Sequence, residues 1–418
     1  MKKMIVVIMA VILCACSAPH DIDSSTNENP EILEGITKQV SDKDLKEGKN
    51  LITDKMEFMK LKQRVPDKLP NEDGGMGVDV RFSDLRKLDL REEEEALELV
   101  TFDTETQWGT QLPSGFDPVK ILEEGKNPGL GIRRLHEKGI TGKGVNIGII
   151  DQGLNLNHHE YKGKIKLYER LHDYDEHSTM HGPAVTSLAV GNTTGVAPDA
   201  NIYYIACSFM DVDKDRNMTI NLDYMAQAIH RMLDINAQLP EEDKISVISI
   251  SRGFSKEDTE TKGSAAVYEA IEEAKKQGVF VITTSTYENY EFSLEGLGRI
   301  KGGDSDDTAS YEAGAFMKND YGLMNHTSSL MVPMDDRTMA GFASEESYAY
   351  FGQGGFSWTC PWLAGMYALC LQESPDLSAS QFVKLALSTS VDQKSEDGTI
   401  VKNIIQPEVL IKAVQKEK

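Results

Sequence analysis

Residues 145–151, VNIGIID, form the stretch that decides the fold. The run is short, apolar and largely β-branched, and it ends in a carboxylate. Strands buried on both faces of a parallel sheet have such unbroken apolar sequences. The preceding segment, residues 131–140, has the spacing of an amphipathic helix, and the turn sequence TGKG separates it from the apolar run. The pattern therefore predicts a buried parallel strand with Asp151 at its carboxyl end.

Strand-like and helix-like segments alternate downstream of this strand. Further strands are predicted at residues 202–206, 245–250 and 279–283, and the predicted helices lie at residues 184–190, 222–233 and 265–276. Such alternation is typical of an α/β domain with a parallel sheet covered by helices on both faces. Ligands bind such sheets at the carboxyl ends of the strands, so the functional site is expected there.

Three residues with complementary chemistry lie at predicted ends of elements. Asp151 ends the first strand, His181 begins the helical run in STMHGPAVTSLAVG, and Ser357 separates the glycine-rich GQGGF from a long apolar segment. Each has a simpler interpretation alone, as a turn residue, a polar residue before a helix or a helix cap. Together they can form a hydrolytic triad, in which Asp orients the imidazole, the imidazole takes the serine proton and the serine oxygen attacks a carbonyl.

Residues 130–372 resemble the subtilisin-family serine proteases, the subtilases. IIDQGL resembles the Asp-Thr-Gly motif of that family, and HGPAVTSLAVG resembles its His-Gly-Thr-His-Val-Ala-Gly. GVAPDANIYYI resembles the Gly-Val-Ala-Pro strand lead-in, and GGFSWTCPWLAG resembles Gly-Thr-Ser-Met-Ala-x-Pro-x-Val-Ala-Gly. The order Asp, His, Ser is also the order found in subtilisin. The resemblance implies a subtilisin-like fold and a serine endopeptidase with Asp151, His181 and Ser357 as its triad.

The same resemblance implies a peptide-binding strand. It places ISISRGF on the strand whose edge pairs with the substrate backbone, so that the non-primed side would be lined by Ser251, Arg252 and Gly253. Arg252 then pairs either with an acidic substrate side chain or with one of the many local carboxylates, and the second option is slightly favoured.

The sequence departs from the family at the oxyanion site. The segment GVFVITTSTYENY aligns with a strand that ends in Ala-Gly-Asn in the family, and Thr286 stands where the Asn amide would donate. Loss of such a donor costs about 10²–10³ in rate, a scale measured on a subtilisin. The backbone N–H of Ser357 remains, and Thr286, Ser285 and Asn289 are alternative second donors.

These departures leave two functions open. The first is a serine endopeptidase that acts through an acyl-enzyme. The second is a weak or inactive pseudoprotease that binds peptides or proteins, because Thr286 replaces the donor and the bulky Phe356 and Trp358 flank the nucleophile.

The amino terminus has the layout of a bacterial lipoprotein signal. Two lysines precede a short apolar core, and the sequence Leu13-Cys14-Ala15-Cys16 resembles a lipobox, with Cys16 as the lipidated residue. Residues 17–30 are predicted to be a flexible tether, and residues 31–125 an extension or pro-segment before a peptidase domain at residues 126–418. The expected location is the outer face of the cell membrane. Self-cleavage of a pro-segment, as in many subtilases, would release a soluble protease; the sequence leaves both outcomes open.

The composition of the chain limits which molecules it can bind. The formal net charge of −23 disfavours nucleic acid and adsorption to anionic lipid, so the expected partners are peptide or protein substrates and the membrane through the lipid, with the protein a monomer. Cys207, Cys360 and Cys370 are expected to be small buried hydrophobes. His177 and His181 lack the Glu of a zinc-protease helix, and His158-His159 is expected to be a solvated loop. No cofactor is expected to be required; subtilases often bind structural calcium, but no loop here has a ligand pattern that assigns a site.

Overall fold

The computed structural model of the chain describes residues 31–72, 77–318, 328–394 and 398–417. The predicted signal peptide, Cys16 and the predicted tether lie outside these residues. Within them, the structure has both strands and helices along the whole chain.

The strands of the described residues are β1 (Ile36–Lys38), β2 (Val78–Asp79), β3 (Val100–Asp103), β4 (Asn146–Asp151), β5 (Ile165–Asp173), β6 (Asn201–Cys207), β7 (Met210–Val212), β8 (Met218–Ile220), β9 (Ile245–Ser249), β10 (Phe280–Ile282), β11 (Ser293–Arg299), β12 (Tyr311–Ala313), β13 (Ser329–Pro333), β14 (Arg337–Ala340), β15 (Tyr348–Phe351), β16 (Val391–Lys394) and β17 (Ile400–Ile404).

The helices are α1 (Asp42–Glu47), α2 (Glu94–Glu98), α3 (Pro118–Glu124), α4 (Ile132–Glu137), α5 (His181–Val190), α6 (Asp223–Gln238), α7 (Ser264–Lys276), α8 (Tyr287–Tyr290), α9 (Thr359–Glu373), α10 (Ala379–Thr389) and α11 (Pro407–Lys416).

The central sheet confirms the predicted parallel architecture. Its strand order is β1-β5-β6-β4-β9-β10 across the described residues, and every neighbouring pair is parallel except β1 with β5. The strand β4 lies in the middle, between β6 and β9, which explains why its sequence is an unbroken apolar run. The carboxyl ends of these parallel strands share one edge of the sheet.

Helices cover both faces of the sheet, as predicted. Alternate residues of β6 enter two separate hydrophobic cores: one face carries Ile202, Tyr204 and Ala206 toward α5 and α9, and the other carries Tyr203, Ile205 and Cys207 toward α6 and α7. Because successive side chains on a strand point to opposite faces, both faces of β6 must be apolar. Cys207, Cys360 and Cys370 are free and buried, in agreement with their predicted role as small hydrophobes.

The predicted bounds agree with the structure to within a few residues. Helix α5 begins three residues before the predicted start, at His181, and α6 extends five residues beyond its predicted end, to Gln238. Strand β10 is shorter than predicted and ends at Ile282. The long apolar segment after Ser357 is helix α9, which is buried around almost its whole circumference.

Residues 31–125 pack closely against the rest of the protein. Strand β1 pairs with β5 and forms one edge of the central sheet, and β3 pairs with β15 so that Phe102 faces Tyr350 across the ladder. A third hydrophobic core joins the two parts, with members from β2, β3 and α2 and from β15. The extension therefore contributes strands and core residues to the fold.

A buried ion pair also holds the extension in place. Arg231 on α6 binds the Glu169 carboxylate of β5 through two nitrogens, at 2.7 and 3.0 Å. The same two side chains also bind the backbone of Val40. Glu169 accepts a hydrogen bond from the Val40 N–H at 3.0 Å, and Arg231 donates one to the Val40 carbonyl at 2.7 Å. Segment 31–50 is thus fixed by polar contacts as well as by strand pairing.

Among the described residues, no helix combines the length and the apolar character that crossing a membrane requires.

Candidate active site

Asp151 and His181 meet at the carboxyl edge of the central sheet. Asp151 is the last residue of β4 and His181 is the first residue of α5. The imidazole Nδ1 lies 2.6 Å from the Asp151 Oδ1, and the Gln152 backbone N–H donates to the same oxygen at 2.8 Å. The Asp151 side chain is 5% exposed and the His181 side chain 19%, so a shielded carboxylate holds a partly accessible imidazole. This bond fixes the ring and leaves Nε2 for other partners.

Glycine at position 182 allows this close approach. A Cβ at Gly182 would lie 2.6 Å from the Gln152 carbonyl oxygen and 2.7 Å from the Tyr204 hydroxyl. Any side chain would therefore push α5 away from the turn that follows Asp151. Glycine at this position therefore lets the start of α5 lie close to the Gln152 backbone.

A side chain at position 153 would clash with a residue of the extension. A Cβ there would lie 2.6 Å from the sulfur and the methyl carbon of Met56. Asn155 also donates its side-chain amide to the Met56 carbonyl. The turn after Asp151 is therefore packed from outside by residues of segment 31–125, which no sequence motif indicated.

Ser357 lies just before the long apolar helix. It is in the 3-10 turn Phe356–Trp358, two residues before α9 begins at Thr359, and the N-cap of α9 is Trp358. Its hydroxyl donates to the Ser251 carbonyl over a long 3.4 Å, while the Ser251 hydroxyl donates to the Ser357 carbonyl at 2.8 Å. The Ser357 side chain is partly exposed. A bond of 3.4 Å is weak, so the hydroxyl is not committed to that partner.

Trp358 links the nucleophile segment to the imidazole. Its ring centroid lies 5.3 Å from that of His181, and the two planes are tilted by 32°. The indole also packs at 5.3 Å against Phe351, the last residue of β15. Trp358, the residue after Ser357, therefore contacts the imidazole that Asp151 orients. Within the described residues, Ser357 itself has hydrogen bonds to Ser251 and none to His181.

The predicted substrate segment follows β9 and is not part of it. The strand ends at Ser249, because the chain beyond it forms bonds outside the ladder: the Arg252 N–H donates back to the Ile250 carbonyl at 2.8 Å. Ser251 and Arg252 are half-buried, and Gly253 is buried. Ser251 is the member of this segment with direct hydrogen bonds to Ser357.

The side chains suggested as oxyanion donors have other partners. The Thr286 hydroxyl, which is 2% exposed, donates to the Phe292 carbonyl at 2.8 Å. The Asn289 amide donates to the Tyr268 carbonyl at 3.3 Å and the Glu272 carboxylate at 2.9 Å. The Ser285 hydroxyl accepts the Phe254 N–H at 3.0 Å. The Thr286 hydroxyl and the Asn289 amide therefore both donate hydrogen bonds to neighbouring protein groups.

A buried aspartate supports the loop before Ser357 and was missed in the sequence. Asp335 accepts the Gly354 N–H at 2.8 Å through one oxygen and the Ala315 N–H at 2.6 Å through the other. Burial, as the largest influence, raises the pKa of Asp335 to about 8. In the sequence MVPMDDRT this residue looks like an ordinary loop carboxylate, so nothing signals that it is buried.

The histidines outside the predicted triad contact other parts of the fold. The expectation of a solvated loop at His158 is wrong: the ring is fully buried, its Nε2 lies 2.8 Å from the Ser347 carbonyl, and burial lowers its pKa to about 4. His177 is exposed and pairs with Glu57 of the extension through its backbone. The described residues contain no group of three or more His, Cys, Asp or Glu side chains placed to hold a metal ion.

Part of the chain matches a known protein family. The model of the subtilase family matches residues 142–318, a range that contains Asp151 and His181 and ends before Ser357. Subtilases are serine peptidases, and the α/β fold with its parallel sheet agrees with this similarity.

Individual relatives are distant. Subtilisin DY of Bacillus licheniformis is 25% identical over 270 residues, which cover 62% of this chain and 88% of that protein. The minor extracellular protease Vpr of Bacillus subtilis is 31% identical over 119 residues, or 25% of this chain and 15% of that protein. The solved structure of the prenylagaramide maturation protease aligns with a TM-score of 0.48 and 16% identity, over 69% of this chain and 99% of that one. The chain thus spans most of subtilisin DY and a small part of Vpr.

Proposed function

We propose that this protein is a serine endopeptidase that hydrolyses peptide bonds through an acyl-enzyme, with Asp151, His181 and Ser357 as its catalytic residues. The observation that carries the proposal is the 2.6 Å bond between the Asp151 carboxylate and the His181 imidazole at the edge of the sheet that also presents Ser357. An aspartate that fixes Nδ1 of a histidine leaves Nε2 as a base, and acyl transfer requires such a base together with a serine nucleophile, the role proposed for Ser357.

The proposed mechanism follows from these contacts. With the Nδ1 proton donated to Asp151, the Nε2 of His181 is the base that removes the Ser357 proton as Oγ attacks the carbonyl carbon of the substrate. The Ser357 hydroxyl must first leave the Ser251 carbonyl, which costs little because that bond is 3.4 Å long. The imidazolium then gives its proton to the leaving amine, and water hydrolyses the ester by the same route in reverse.

Covalent labelling tests the proposal directly. The purified protein is treated with a fluorophosphonate and its intact mass is measured beside that of Ser357→Ala. We expect one adduct on the parent protein and none on the variant, because only a serine activated by a base reacts at a useful rate. A folded parent protein without an adduct, or an adduct that persists in Ser357→Ala, would contradict the assignment of Ser357 as nucleophile.

The membrane tether is a proposal that rests on the amino-terminal sequence. Cys16 follows Leu13-Cys14-Ala15 and a short apolar core, so lipidation of Cys16 would anchor the peptidase outside the cytoplasm. In a bacterial host that processes lipoproteins, we expect the full chain to fractionate with membranes and to incorporate labelled palmitate, and Cys16→Ala to do neither. Label that persists on Cys16→Ala would exclude this anchor.

One observation favours the pseudoprotease as a second candidate. The hydroxyl of Thr286 and the amide of Asn289 are both bonded to protein groups, so neither is poised to supply the second oxyanion donor. In that case peptides bind beside Ser357 but are cleaved slowly or not at all. Peptide binding by a folded protein that acquires no fluorophosphonate adduct would favour this function over the first.

A further inference from the structure

Arg252 follows Ser251, which forms hydrogen bonds with the proposed nucleophile Ser357. Ser251 exchanges two hydrogen bonds with Ser357, one in each direction, and Arg252 follows it in the chain. The backbone around Arg252 is fixed, since its carbonyl accepts the Thr284 N–H at 3.3 Å and its N–H donates to the Ile250 carbonyl. The guanidinium therefore projects from an anchored backbone at the carboxyl edge of the sheet.

The positive charge of Arg252 has no carboxylate partner among the described residues. Its Nε is buried and makes no hydrogen bond, although the residue as a whole is only half-buried. Burial is the sole influence on its pKa, which it lowers to about 10, so the group stays protonated at neutral pH. A partly desolvated cation without a partner is unfavourable in the free protein.

Other buried arginines near this sheet are paired. Arg170 donates to Asp173 at 2.7 Å and to Asp54 at 3.0 Å, and Arg231 binds Glu169. The chain has 67 acidic and 44 basic residues, so acidic partners are abundant and the slightly favoured expectation of a local carboxylate for Arg252 is not met among the described residues. Among the described residues, the Arg252 guanidinium thus has no carboxylate partner, and a bound ligand can provide one.

Arg337 provides a useful contrast. Burial also lowers its pKa to about 10, and its Nε and Nη1 have no hydrogen-bond partner among the described residues. Arg337 is only 3% exposed and donates its Nη2 to the Thr194 carbonyl at 3.1 Å, so an external ligand cannot reach it. Arg252 combines the same lack of a counter-charge with access from solvent and a position beside Ser357.

We propose that the Arg252 guanidinium binds a carboxylate of the peptide substrate, so that the enzyme prefers peptides with Asp or Glu near the cleaved bond. This inference rests on the proposed function, because it assumes that a peptide lies beside Ser357. A planar guanidinium can donate two parallel hydrogen bonds to a carboxylate, which makes the contact both strong and directional. Bound substrate then supplies the counter-charge that no described residue provides.

Matched peptide pairs test the specificity. Internally quenched peptides that differ only by Glu or Gln are compared at each position around the cleaved bond. For the parent protein we expect kcat/KM to favour Glu by about tenfold or more at one position, the scale of a charge-assisted hydrogen bond. Arg252→Gln should remove this preference and Arg252→Glu should favour Lys over Gln there. Arg252→Lys should keep part of the preference, because a lysine retains the charge but cannot bind bidentately.

The controls separate this inference from the proposed function. Arg86→Gln removes an exposed arginine of the extension, which pairs with Asp84, and should leave the Glu preference unchanged. Arg86→Gln should also react with fluorophosphonate at the parent rate, because Arg86 lies in the extension and outside the proposed site. Equal cleavage of Glu and Gln peptides by the parent protein at every position would overturn the role of Arg252 while the peptidase stands.

A binding measurement keeps the inference testable if the protein is not an active peptidase. When Ser357 is not labelled and no peptide is cleaved, fluorescence anisotropy with the same Glu and Gln peptides measures affinity alone. Tighter binding of the Glu peptide that is lost in Arg252→Gln would support the carboxylate contact without catalysis. Equal affinity of the two peptides, or binding to neither, would overturn it.

Discussion

The two sides of the proposed active site differ in how fully their polar groups are paired. On the acid–base side, Asp151 holds His181 and accepts the Gln152 N–H, and the neighbouring turn is packed by Met56. On the nucleophile side, three buried polar atoms have no partner among the described residues: the Nε of Arg252, the Thr284 hydroxyl and the indole nitrogen of Trp358. Asp151 and His181 are thus bonded to each other within the protein, while three donors on the nucleophile side have no partner among the described residues.

This difference separates orientation from recognition. Groups that position a catalytic base must be fixed before the substrate arrives, so their hydrogen bonds are internal. Groups that bind substrate or a developing charge must be unpaired in the free protein, at some cost in stability. The contrast makes four predictions, in order of decreasing size.

Asp151→Asn should produce the largest effect. An amide at this position can bind the other tautomer of His181, with its proton on Nε2, and the imidazole then cannot accept the Ser357 proton. We expect kcat to fall by about 10⁴-fold with little change in KM, as for the equivalent change in another serine protease. Kinetics on any cleaved peptide, or the rate of fluorophosphonate labelling, measures the change. A loss below about tenfold would mean that the tightly bonded Asp151–His181 pair is structural only.

Phe102→Ala should reveal how strongly the nucleophile side depends on the extension. Phe102 on β3 is 2% exposed and packs against Trp108 and Tyr350, and β3 pairs with β15, the strand that leads toward Ser357. Removing a buried ring costs about 3–5 kcal/mol. We expect the free energy of unfolding to fall by that amount in a single transition that includes the loss of labelling at Ser357.

An exposed residue of the same segment is the control for this variant. Val119→Ala on α3 removes a side chain that is 72% exposed and should change the free energy of unfolding by less than about 0.5 kcal/mol. If Phe102→Ala instead unfolds the extension in a separate early transition, and Ser357 still reacts afterwards, residues 31–125 behave as a detachable pro-segment.

Thr286→Val should separate a structural hydroxyl from an oxyanion donor. Because the hydroxyl donates to the buried Phe292 carbonyl, its loss should lower the free energy of unfolding by about 1–3 kcal/mol and change kcat by less than about threefold. Thr284→Val is the matched control, since that hydroxyl has no partner and its removal should leave stability nearly unchanged. A fall in kcat of about 10²–10³ for Thr286→Val would instead assign it to the oxyanion site.

The sequence allowed the fold to be predicted where the pattern was local. The apolar run of β4, the alternation of strands and helices and the glycine at position 182 all carry a physical signal in neighbouring residues. Contacts between distant segments carried no such signal. Neither the packing of Met56 on the turn after Asp151 nor the two backbone groups held by Asp335 can be read from local composition, because each depends on how the extension and the loops meet in space.

The smallest predicted effect is a change in pH dependence on the nucleophile side. Asp335 holds Gly354, three residues before Ser357, and burial raises its pKa to about 8. Between about pH 4 and pH 8 the native state keeps a proton that the unfolded chain has lost, so this group makes the free energy of unfolding fall as pH rises.

Denaturant titrations at pH 5, 6, 7 and 8 should therefore show that the free energy of unfolding changes less steeply with pH for Asp335→Asn than for the parent protein. Asp84→Asn is the control: the Arg86 guanidinium lowers the pKa of Asp84 to about 2, so its slope over this range should match that of the parent. Identical slopes for the parent and Asp335→Asn would mean that Asp335 is ionised in the native state, with the two backbone N–H groups outweighing its burial.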